Sequence, residues 1–378
     1  MVTGKHLLKN YPNRILPRIA RTSVACALLS VAAVALSLTP VVADVLDIPA
    51  TLSPLALRSP VTGIASSAGV AIAVGPRGVV LRSTDSGETW KQIQVPNSAD
   101  LASVRFTDDN TAWVMGHDGI VLRSTDKGEN WTRILDGRVA LSLIDAYYAK
   151  QVAAGDEGAE RVQVEIERAA AQSATPGVLS YPFFDIALNA GGEGFLVGAF
   201  GLLLHTTDGG ASWEPWLERA ENPRRMHLYM LNTVGNEVYL SGEQGVMRRL
   251  DRASGQFVTI ETPYGGSFFG SLASNETLIV YGLRGTALVS TDGGLEWKPV
   301  KLNVDASIVA ALPAADGRLV WVSQDGQVRL SDRDGSSVTE LDMPRAGEVL
   351  SAALVAPRRL ALGTHQGVRL VDIPMGRP

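Results

Sequence analysis

The chain of 378 residues is poor in cysteine, in basic charge and in long apolar runs. Its single cysteine, Cys26, lies within the first 43 residues, so the remainder has no thiol and must be stabilised without disulfides. Those 43 residues hold five Lys or Arg and no acid, although the net charge of the whole chain is −5. The remainder is therefore acidic, which argues against nucleic acid as a partner because a duplex binder needs a basic surface.

The only long apolar run directly follows the basic N-terminal residues. It reads "TSVACALLSVAAVALSLTPVVA", covers residues 22–43 and ends in small residues suited to cleavage before Asp44. An uncleaved anchor is the alternative, because the run is about as long as a bilayer-spanning helix. Residues 1–43 are thus predicted to be a signal peptide or N-terminal anchor, and the chain that follows is predicted to be exported.

Signatures of catalysis and of metal binding are also scarce. Four histidines follow the N-terminal region, and their positions show no metal-ligand spacing: His117, His205, His227 and His365. No G-x-S-x-G motif and no phosphate-binding loop occurs. The residues therefore predict no metal, no cofactor and no enzyme activity.

The sequence does contain a repeat with a period near 40 residues. Seven units open on a G-x-x-G hairpin or a close variant, at Gly75, Gly116, Gly198, Gly242, Gly282, Ser323 and Gly363. The intervals between these positions are 41, 82, 44, 40, 41 and 40 residues, so one segment is inserted after the second unit. Such a period with several short strands per unit is typical of a β-propeller.

One unit shows the strands in detail. "SVRFT", "TAWVMG", "IVLRST" and "WTRIL", between residues 103 and 135, are four short apolar segments separated by turn residues. The sequence therefore predicts an all-β fold, a seven-bladed β-propeller with four-stranded blades over residues 44–378. The seventh unit is about one strand short, so part of residues 44–60 is expected to pair with the last blade and close the ring.

The inserted segment, about residues 137–181, is predicted to form a short helical insertion between blades 2 and 3. Its first part has apolar residues at helical spacing, namely Leu141, Ile144, Tyr148 and Val152. A second helix with alternating charge is expected to end at Pro176-Gly177. The insertion could dock a partner, cover the central opening or only pack on the ring.

A turn of the form Ser/Thr-x-Asp-x-Gly-x-x-Trp occurs clearly in four units, as Asp85 with Trp90, Asp126 with Trp131, Asp208 with Trp213 and Asp292 with Trp297. Aspartate can accept bonds from nearby backbone N–H groups and fix the turn, and tryptophan can pack between blades. One carboxylate per repeat does not suit calcium, which needs six to eight oxygen ligands. The turn is therefore predicted to be structural.

This turn is the Asp-box or BNR repeat. Together with the seven units, the G-x-x-G hairpins and the leader, it resembles the photosystem II assembly and stability factor family over most of residues 60–373, except the insertion. The family is described as non-catalytic propellers of the thylakoid lumen that help to assemble a membrane complex. The resemblance implies a protein partner, an exposed segment of a membrane protein, in the thylakoid lumen of a photosynthetic host or in the periplasm. In a non-photosynthetic host the expected client is an envelope transporter.

The candidate partner-binding residues lie on the face that carries the G-x-x-G hairpins. The hairpin frame repeats while its tips differ, which suits recognition by loops on a rigid scaffold. The tips are Arg77, Asp118, Phe200, Gln244, Arg284, Asp325 and Gln366, and the connections between blades add Arg224, Arg225, Tyr264 and Arg345. Arginine binds carboxylates in a bidentate manner, which favours an acidic partner segment. The alternative is that these residues are solvated loop tips.

Two other functions are alternatives to protein binding. A sialidase-like glycoside hydrolase would need three arginines around a carboxylate and a tyrosine nucleophile paired with glutamate. Tyr264 has no acid within two residues, which disfavours that activity. A glycan-binding propeller would need an exposed aromatic platform, for which Trp216, Phe200 or Tyr264 are the candidates.

Overall fold

The computed structural model describes residues 44–274, 277–343 and 345–374. The predicted leader, residues 1–43 with Cys26, lies outside the described residues. Among the helices that are described, none has the length and apolar character needed to cross a membrane.

The strands form seven antiparallel sheets, which we call blades 1 to 7 in chain order. Blade 1 consists of β1 (Gly63–Ser67), β2 (Val70–Gly75), β3 (Val79–Ser83) and β4 (Lys91–Ile93). Blade 2 consists of β5 (Leu101–Phe106), β6 (Ala112–Gly116), β7 (Val121–Ser124) and β8 (Thr132–Leu135). Blade 3 consists of β9 (Phe183–Leu188), β10 (Gly194–Gly198), β11 (Leu203–Thr206) and β12 (Glu214–Pro215). Blades 4 and 5 consist of β13 (Leu228–Val234), β14 (Glu237–Gly242), β15 (Met247–Asp251) and β16 (Gln256–Thr259); and β17 (Phe268–Ser274), β18 (Thr277–Gly282), β19 (Ala287–Ser290) and β20 (Lys298–Pro299). Blades 6 and 7 consist of β21 (Ile308–Pro313), β22 (Leu319–Ser323), β23 (Val328–Ser331) and β24 (Thr339–Glu340); and β25 (Val349–Ala356), β26 (Arg359–Thr364) and β27 (Gly367–Asp372).

The first strand of each blade lines the centre of a closed ring. Each first strand contacts the first strand of the next blade, and β25 of the last blade contacts β1 of the first. The second strands are mostly apolar, such as "VAIAVG" in β2, and every residue of that strand is buried. A run of this kind suits a strand that is covered on both faces, here by the two neighbouring blades. The predicted all-β fold of seven propeller blades is confirmed.

The seventh blade has three strands, so the prediction of four strands in every blade is wrong there. Residues 44–60 contribute no strand to it, contrary to expectation, but form a turn and a 3₁₀ helix, Pro54–Arg58, that packs on β27. Proline cannot donate to a strand ladder, and Ser53 caps the helix by accepting a bond from Leu55 N. A 3₁₀ helix therefore packs against the start of β27 where a fourth strand was expected.

Two α-helices follow β8 and precede β9. Helix α1 (Gly137–Ala153) is capped by Asp136, whose side chain accepts from Arg138 N and Val139 N. Helix α2 (Glu157–Ala171) is capped in the same way by Asp156. It ends at Ala171, five residues before Pro176 and earlier than expected.

Both helices belong to a large apolar core shared with blades 2 and 3. Ile144 and Tyr148 of α1 and Ile166 of α2 are buried there against side chains that include Leu204 and Trp213. The start and the end of the helical segment lie side by side, because Leu179 N donates to Gly137 O at 3.1 Å. The helices therefore pack against blades 2 and 3 as part of a continuous core.

Candidate functional site

The propeller has two faces with different turns. The hairpins between second and third strands lie beside the chain that enters the first strand of the same blade: Glu243 N donates to His227 O at 2.9 Å. We call this side the hairpin face. On the opposite side, the turn between third and fourth strands meets the turn between first and second strands, as where Lys127 N donates to Asn110 O at 2.8 Å.

The repeated aspartate turns on the opposite face share one set of bonds. In blade 1, Ser83 Oγ donates to Asp85 Oδ1 at 2.7 Å and accepts from Gly87 N at 3.0 Å. The Asp85 carboxylate also accepts from Thr89 N at 3.0 Å. The same arrangement of hydroxyl, carboxylate and glycine recurs around Asp126, Asp208 and Asp292. Within the part of the chain that the structure describes, no group of three or more His, Cys, Asp or Glu could hold a metal ion.

The glycine and tryptophan of each turn lie close to the preceding blade. Gly128 has a φ of 80°, and a Cβ there would lie 2.6 Å from Ile72 Cδ1 of blade 1. Trp131 is 9% exposed and its indole nitrogen donates to Gly128 O at 3.2 Å. Trp213 is buried with Trp113 of blade 2 in the same core. These turns join adjacent blades by packing.

Substitution of Gly128 by alanine is expected to destabilise the fold by about 2–4 kcal/mol, because left-handed backbone and steric overlap add together. Gly209→Ala is the matched control: that residue has a φ of 70°, and no heavy atom lies within 4 Å of the position that a Cβ would occupy. It is expected to cost about 1 kcal/mol from backbone alone. Urea unfolding of both variants measures the difference, and equal losses would contradict the contact with blade 1.

The turn carboxylates are held in their charged form. Bonds from the Thr89 hydroxyl and backbone lower the pKa of Asp85 to about 2, and the Ser212 hydroxyl and backbone lower that of Asp208 to about 2. The pKa values of Asp126 and Asp292 are lowered as well, with bonds from Asn130 and from Glu296 N. Each carboxylate thus stabilises the fold most when it is ionised.

Acidification is expected to destabilise the propeller between about pH 4 and pH 2. Groups with a lowered folded pKa contribute stability above their unfolded pKa, about 3.9 for aspartate, and lose it as the pH falls through the folded value. The double variant Asp85→Asn/Asp208→Asn should be less stable at pH 7 and should lose less on acidification. Urea midpoints of both proteins from pH 6 to 2 measure this, and parallel pH curves would contradict it.

The predicted tip residues fall into two geometrical classes. Five of them share a left-handed backbone with φ between 50° and 57°, namely Arg77, Asp118, Phe200, Gln244 and Arg284. Asp325 and Gln366 have no positive φ; blade 6 places Gly326 at 81° instead, and β26 and β27 are joined by a two-residue turn. The tips of blades 1 to 5 therefore leave the ring in one repeated conformation, and those of blades 6 and 7 do not.

The candidate arginines do not form one basic cluster. Arg225 pairs with Glu165 of α2 at 2.8 Å, and Arg224 donates to Gln244 Oε1 at 3.0 Å. Arg345 lies 3.7 Å from Asp325 Oδ2. The exposed side chains of Arg77 on blade 1 and Arg284 on blade 5 make no hydrogen bond or ion pair with any described residue. Of the five candidate arginines, these two are left available to a partner. Asp118 is half-buried, and burial raises the pKa of its carboxyl.

Two aromatic candidates are occupied within the fold. Trp216 is 7% exposed, since it stacks on His205 at 4.1 Å between centroids and under the Arg219 guanidinium at 4.3 Å. It is not the sugar platform that the sequence left open. The Tyr264 hydroxyl donates to Leu283 O at 3.1 Å, and its ring packs on Phe268.

A row of aromatic side chains lies on the hairpin face, and the sequence analysis proposed only Phe200 of it as a binding residue. We call it the aromatic row: Tyr181, Phe200, His227, Phe184, Tyr229 and Phe269. Ring centroids lie 4.4 Å apart for Tyr181 and Phe200, and 4.7 Å apart for Phe200 and His227. The row continues from His227 to Tyr229 at 5.9 Å. Tyr229 in turn lies 5.4 Å from Phe184 and 6.1 Å from Phe269. Phe200 is 46% exposed and Phe269 is 39% exposed, so both ends of the stretch from Phe200 through His227 and Tyr229 to Phe269 are open to solvent. The row begins at a small groove of about 210 Å³ against α2.

The other end of the aromatic row enters a cavity of about 480 Å³ at the centre of the ring. In six first strands the pairing skips one residue near the strand start, which is a β-bulge. The skipped residues all line the cavity and we call them the bulge ring: Ala102, Phe184, Tyr229, Phe269, Val309 and Leu350. Three consecutive blades, 3 to 5, supply the aromatic members.

Comparison with known proteins finds one family model that is similar to part of this chain. A model of the photosystem II assembly factor YCF48 family matches residues 62–141 and 177–261. No curated protein matches the chain in sequence. The predicted resemblance to the photosystem II assembly factor family is thus confirmed in two stretches of the chain.

Solved structures show the same fold at low identity. A structure of YCF48 bound to D1 peptide is 14% identical with a TM-score of 0.58, covering 87% of this chain and 100% of that chain. YCF48 from Cyanidioschyzon merolae is 15% identical with a TM-score of 0.57, covering 86% of this chain and 98% of that chain. The WD40 propeller domain of Doa1 has a TM-score of 0.57 at 10% identity, covering 86% of this chain and 95% of that chain. Structural likeness at this identity therefore establishes the propeller fold alone.

Proposed function

Because the chain is similar in sequence and in fold to photosystem II assembly factors of the YCF48 family, we propose that it is a non-catalytic propeller that binds an exposed segment of a membrane protein. The observation that carries the proposal is the open hairpin face, where exposed aromatic side chains lead into a central cavity. One structure in the comparison holds a D1 peptide on a propeller of this family, which supports a peptide segment as the type of ligand. The role is assembly of a membrane complex, with an envelope transporter as the client in a non-photosynthetic host.

The charges of the hairpin face support an acidic segment. Arg77 and Arg284 are exposed tips without a partner among the described residues, and arginine is suited to hold a carboxylate by two parallel bonds. Both have left-handed backbone, with φ of 57° and 55°. The two tips therefore share one backbone geometry.

The proposal includes export of residues 44–378 under the direction of residues 1–43, to the periplasm or to the thylakoid lumen of a photosynthetic host. The support is the basic and then apolar composition of the N-terminal residues. Fusion of alkaline phosphatase after residue 60 tests it, since that enzyme is active only outside the cytoplasm. Activity that is lost when residues 1–43 are removed is the expected result, and equal activity without them would refute export.

Crosslinked pull-down from membranes of the native host tests the binding function. The test variant is Arg77→Gly/Arg284→Gly, because glycine adopts the left-handed backbone of both tips without strain and the variant should fold normally. Lys127→Gly is the matched control, since it removes a cation from a residue with φ of 59° on the opposite face.

One membrane protein is expected to be enriched with the wild type and with Lys127→Gly, and lost with the double arginine variant. The captured protein should carry an acidic segment on the exported side of the membrane. Capture that is unaffected by the arginine substitutions would reject the hairpin face as the binding surface. No specific capture at all would reject the assembly function.

A further inference from the structure

We infer that the aromatic half of the bulge ring, Phe184, Tyr229 and Phe269, is a binding site for bulky apolar side chains of an extended partner segment that also carries an acidic residue. This inference rests on the proposed function and adds the chemistry that the partner segment must have. It concerns side chains other than the arginine tips, and the two parts can be tested separately.

The bulges place these three side chains at the cavity. In a regular strand the residue next to a buried one points to the opposite side of the sheet. Here the residues that flank each bulge both pair with β10, β14 or β18, and the skipped residue is turned toward the centre of the ring. β-Bulges commonly re-aim a side chain beside a functional site. The backbone thus fixes three aromatic rings in place before any ligand arrives.

The two halves of the bulge ring differ in chemistry. Blades 3 to 5 supply the three aromatic rings, whereas blades 2, 6 and 7 supply Ala102, Val309 and Leu350. Phe184 and Tyr229 lie at 52°, and Tyr229 and Phe269 at 69°, between ring planes. Tilted and edge-on arrangements leave ring faces open to a further apolar group. The cavity volume of about 480 Å³ falls in the range of ligand sites, roughly 300–1,000 Å³.

The shape of the surface favours an extended segment. From the cavity, the aromatic row continues across blade 4 through His227 to Phe200 on blade 3, and then to the groove beside α2. His227 is fixed in orientation, since its Nδ1 accepts from Phe200 N at 2.9 Å. A single compact ligand would fill the cavity alone, whereas a chain with side chains at intervals can contact both the cavity and the row.

The position of Arg284 implies that the acidic residue of the partner segment lies close to its bulky apolar residues. Leu283, the neighbour of Arg284 at the tip of blade 5, donates its N–H to Ser267 O at 3.1 Å, two residues before Phe269. The unpaired guanidinium therefore stands on the same hairpin and strand start as an exposed ring of the site. Inside the cavity, Arg105 is already neutralised by Asp185 at 2.6 Å, so the site interior carries no free charge and suits apolar groups.

Selection from a displayed library of random 12-residue peptides against the full chain tests the inference. Selected peptides are expected to share one or two bulky apolar residues, aromatic ones above all, near an acidic residue. For a synthetic peptide of the consensus, Tyr229→Ala/Phe269→Ala should weaken binding about tenfold or more. Both positions lie outside the fully buried cores, so the variant should fold.

Val309→Ala/Leu350→Ala is the matched control, because it truncates two bulge residues on the opposite side of the same cavity. It should change the affinity by less than about threefold, and Tyr229→Phe should bind like the wild type. A consensus without bulky apolar residues, or equal losses in the two double variants, would overturn the inference.

The pull-down distinguishes this failure from failure of the proposed function. If capture depends on Arg77 and Arg284 but not on Tyr229 and Phe269, the function stands and the aromatic site is rejected. If selected peptides need the aromatic residues but no membrane protein is captured, the site stands and the assembly function is rejected.

Discussion

Replacement of Arg105 by methionine is expected to destabilise the propeller by about 3–5 kcal/mol. The Arg105 guanidinium donates from Nη1 to Asp185 Oδ2 at 2.6 Å and to Leu231 O at 2.9 Å. The same carboxylate oxygen accepts from Leu231 N at 2.7 Å. This ion pair between a partly exposed guanidinium and a buried carboxylate joins the first strands of blades 2, 3 and 4. Methionine would leave the buried carboxylate without its cation.

The loss should depend on pH in a defined direction. Burial raises the pKa of Asp185, and Arg105 opposes that rise. Without Arg105 the pKa rises further, so the folded variant prefers a protonated Asp185. A carboxyl with a raised folded pKa costs stability as the pH rises above its unfolded pKa, about 3.9. Urea unfolding should therefore show a larger difference between wild type and variant at pH 8 than at pH 4.5.

The variant Arg105→Met/Asp185→Leu separates loss of packing from loss of charge pairing. Replacement of both partners by apolar residues removes the unpaired charge, so the double variant should be more stable than Arg105→Met alone. Asn232→Ala is the uncharged control. It removes the hydrogen bond that Asn232 donates to Ser271 Oγ at 2.6 Å, which also joins two first strands. Additive losses in the double variant, together with no pH dependence in the single variant, would contradict the charge-pairing explanation.

The blades were predictable from the sequence because their signals are local. A hairpin needs glycine at a fixed position, and an aspartate turn is closed by residues two to four positions apart, as at Asp85. Each blade therefore carries similar turn residues, and the number of sequence repeats gives the number of blades. The seventh blade departed from the pattern because Pro54 begins a 3₁₀ helix where a pairing strand was expected.

The charges of the hairpin face were not predictable in the same way. Arg225 appeared available in the sequence, but its partner Glu165 lies 60 residues earlier on α2. No periodicity reports a contact of that sequence separation. The five tips that share a backbone conformation were identified because the G-x-x-G frame is local, whereas the partner of each tip depends on how neighbouring elements pack.

The aromatic half of the bulge ring had a signal in the sequence that was overlooked. The pairs "FF" at 183–184, "LY" at 228–229 and "FF" at 268–269 each open a first strand. Two successive large residues at a strand start cannot both face one core in regular pleating. Alignment of the first strands, like that of the hairpins, would have placed Phe184, Tyr229 and Phe269 at one equivalent position.

Truncation of Tyr148 to alanine is expected to lower the free energy of unfolding by about 3–5 kcal/mol. The Tyr148 side chain is fully buried in the core that α1 and α2 share with blades 2 and 3. Its hydroxyl donates to Glu218 Oε2 at 2.5 Å, and burial raises the pKa of the phenol. Because the cavity would open between the helices and blades 2 and 3, the lost free energy should include packing contacts of the propeller blades.

Two conservative variants divide the effect of Tyr148. Tyr148→Phe keeps the ring and removes a bond to a charged acceptor, which should cost about 1.5–3 kcal/mol. Tyr147→Phe is its matched control, since the half-buried Tyr147 donates through its hydroxyl to the other oxygen of Glu218 at 3.2 Å in a solvent-exposed bond. It should cost less than about 1 kcal/mol.

The result decides how the helices relate to the binding face. If Tyr148→Ala lowers ring stability by the expected amount, α1 and α2 unfold together with the blades and cannot swing across the central opening as a lid. The groove between α2 and Phe200 is then a fixed extension of the aromatic row, because Tyr148 anchors the helices in the core and the pair of Arg225 with Glu165 lines the groove. A loss below about 1 kcal/mol would instead mean that the helices are coupled weakly to the ring, and α2 could not be counted as a rigid wall of the site.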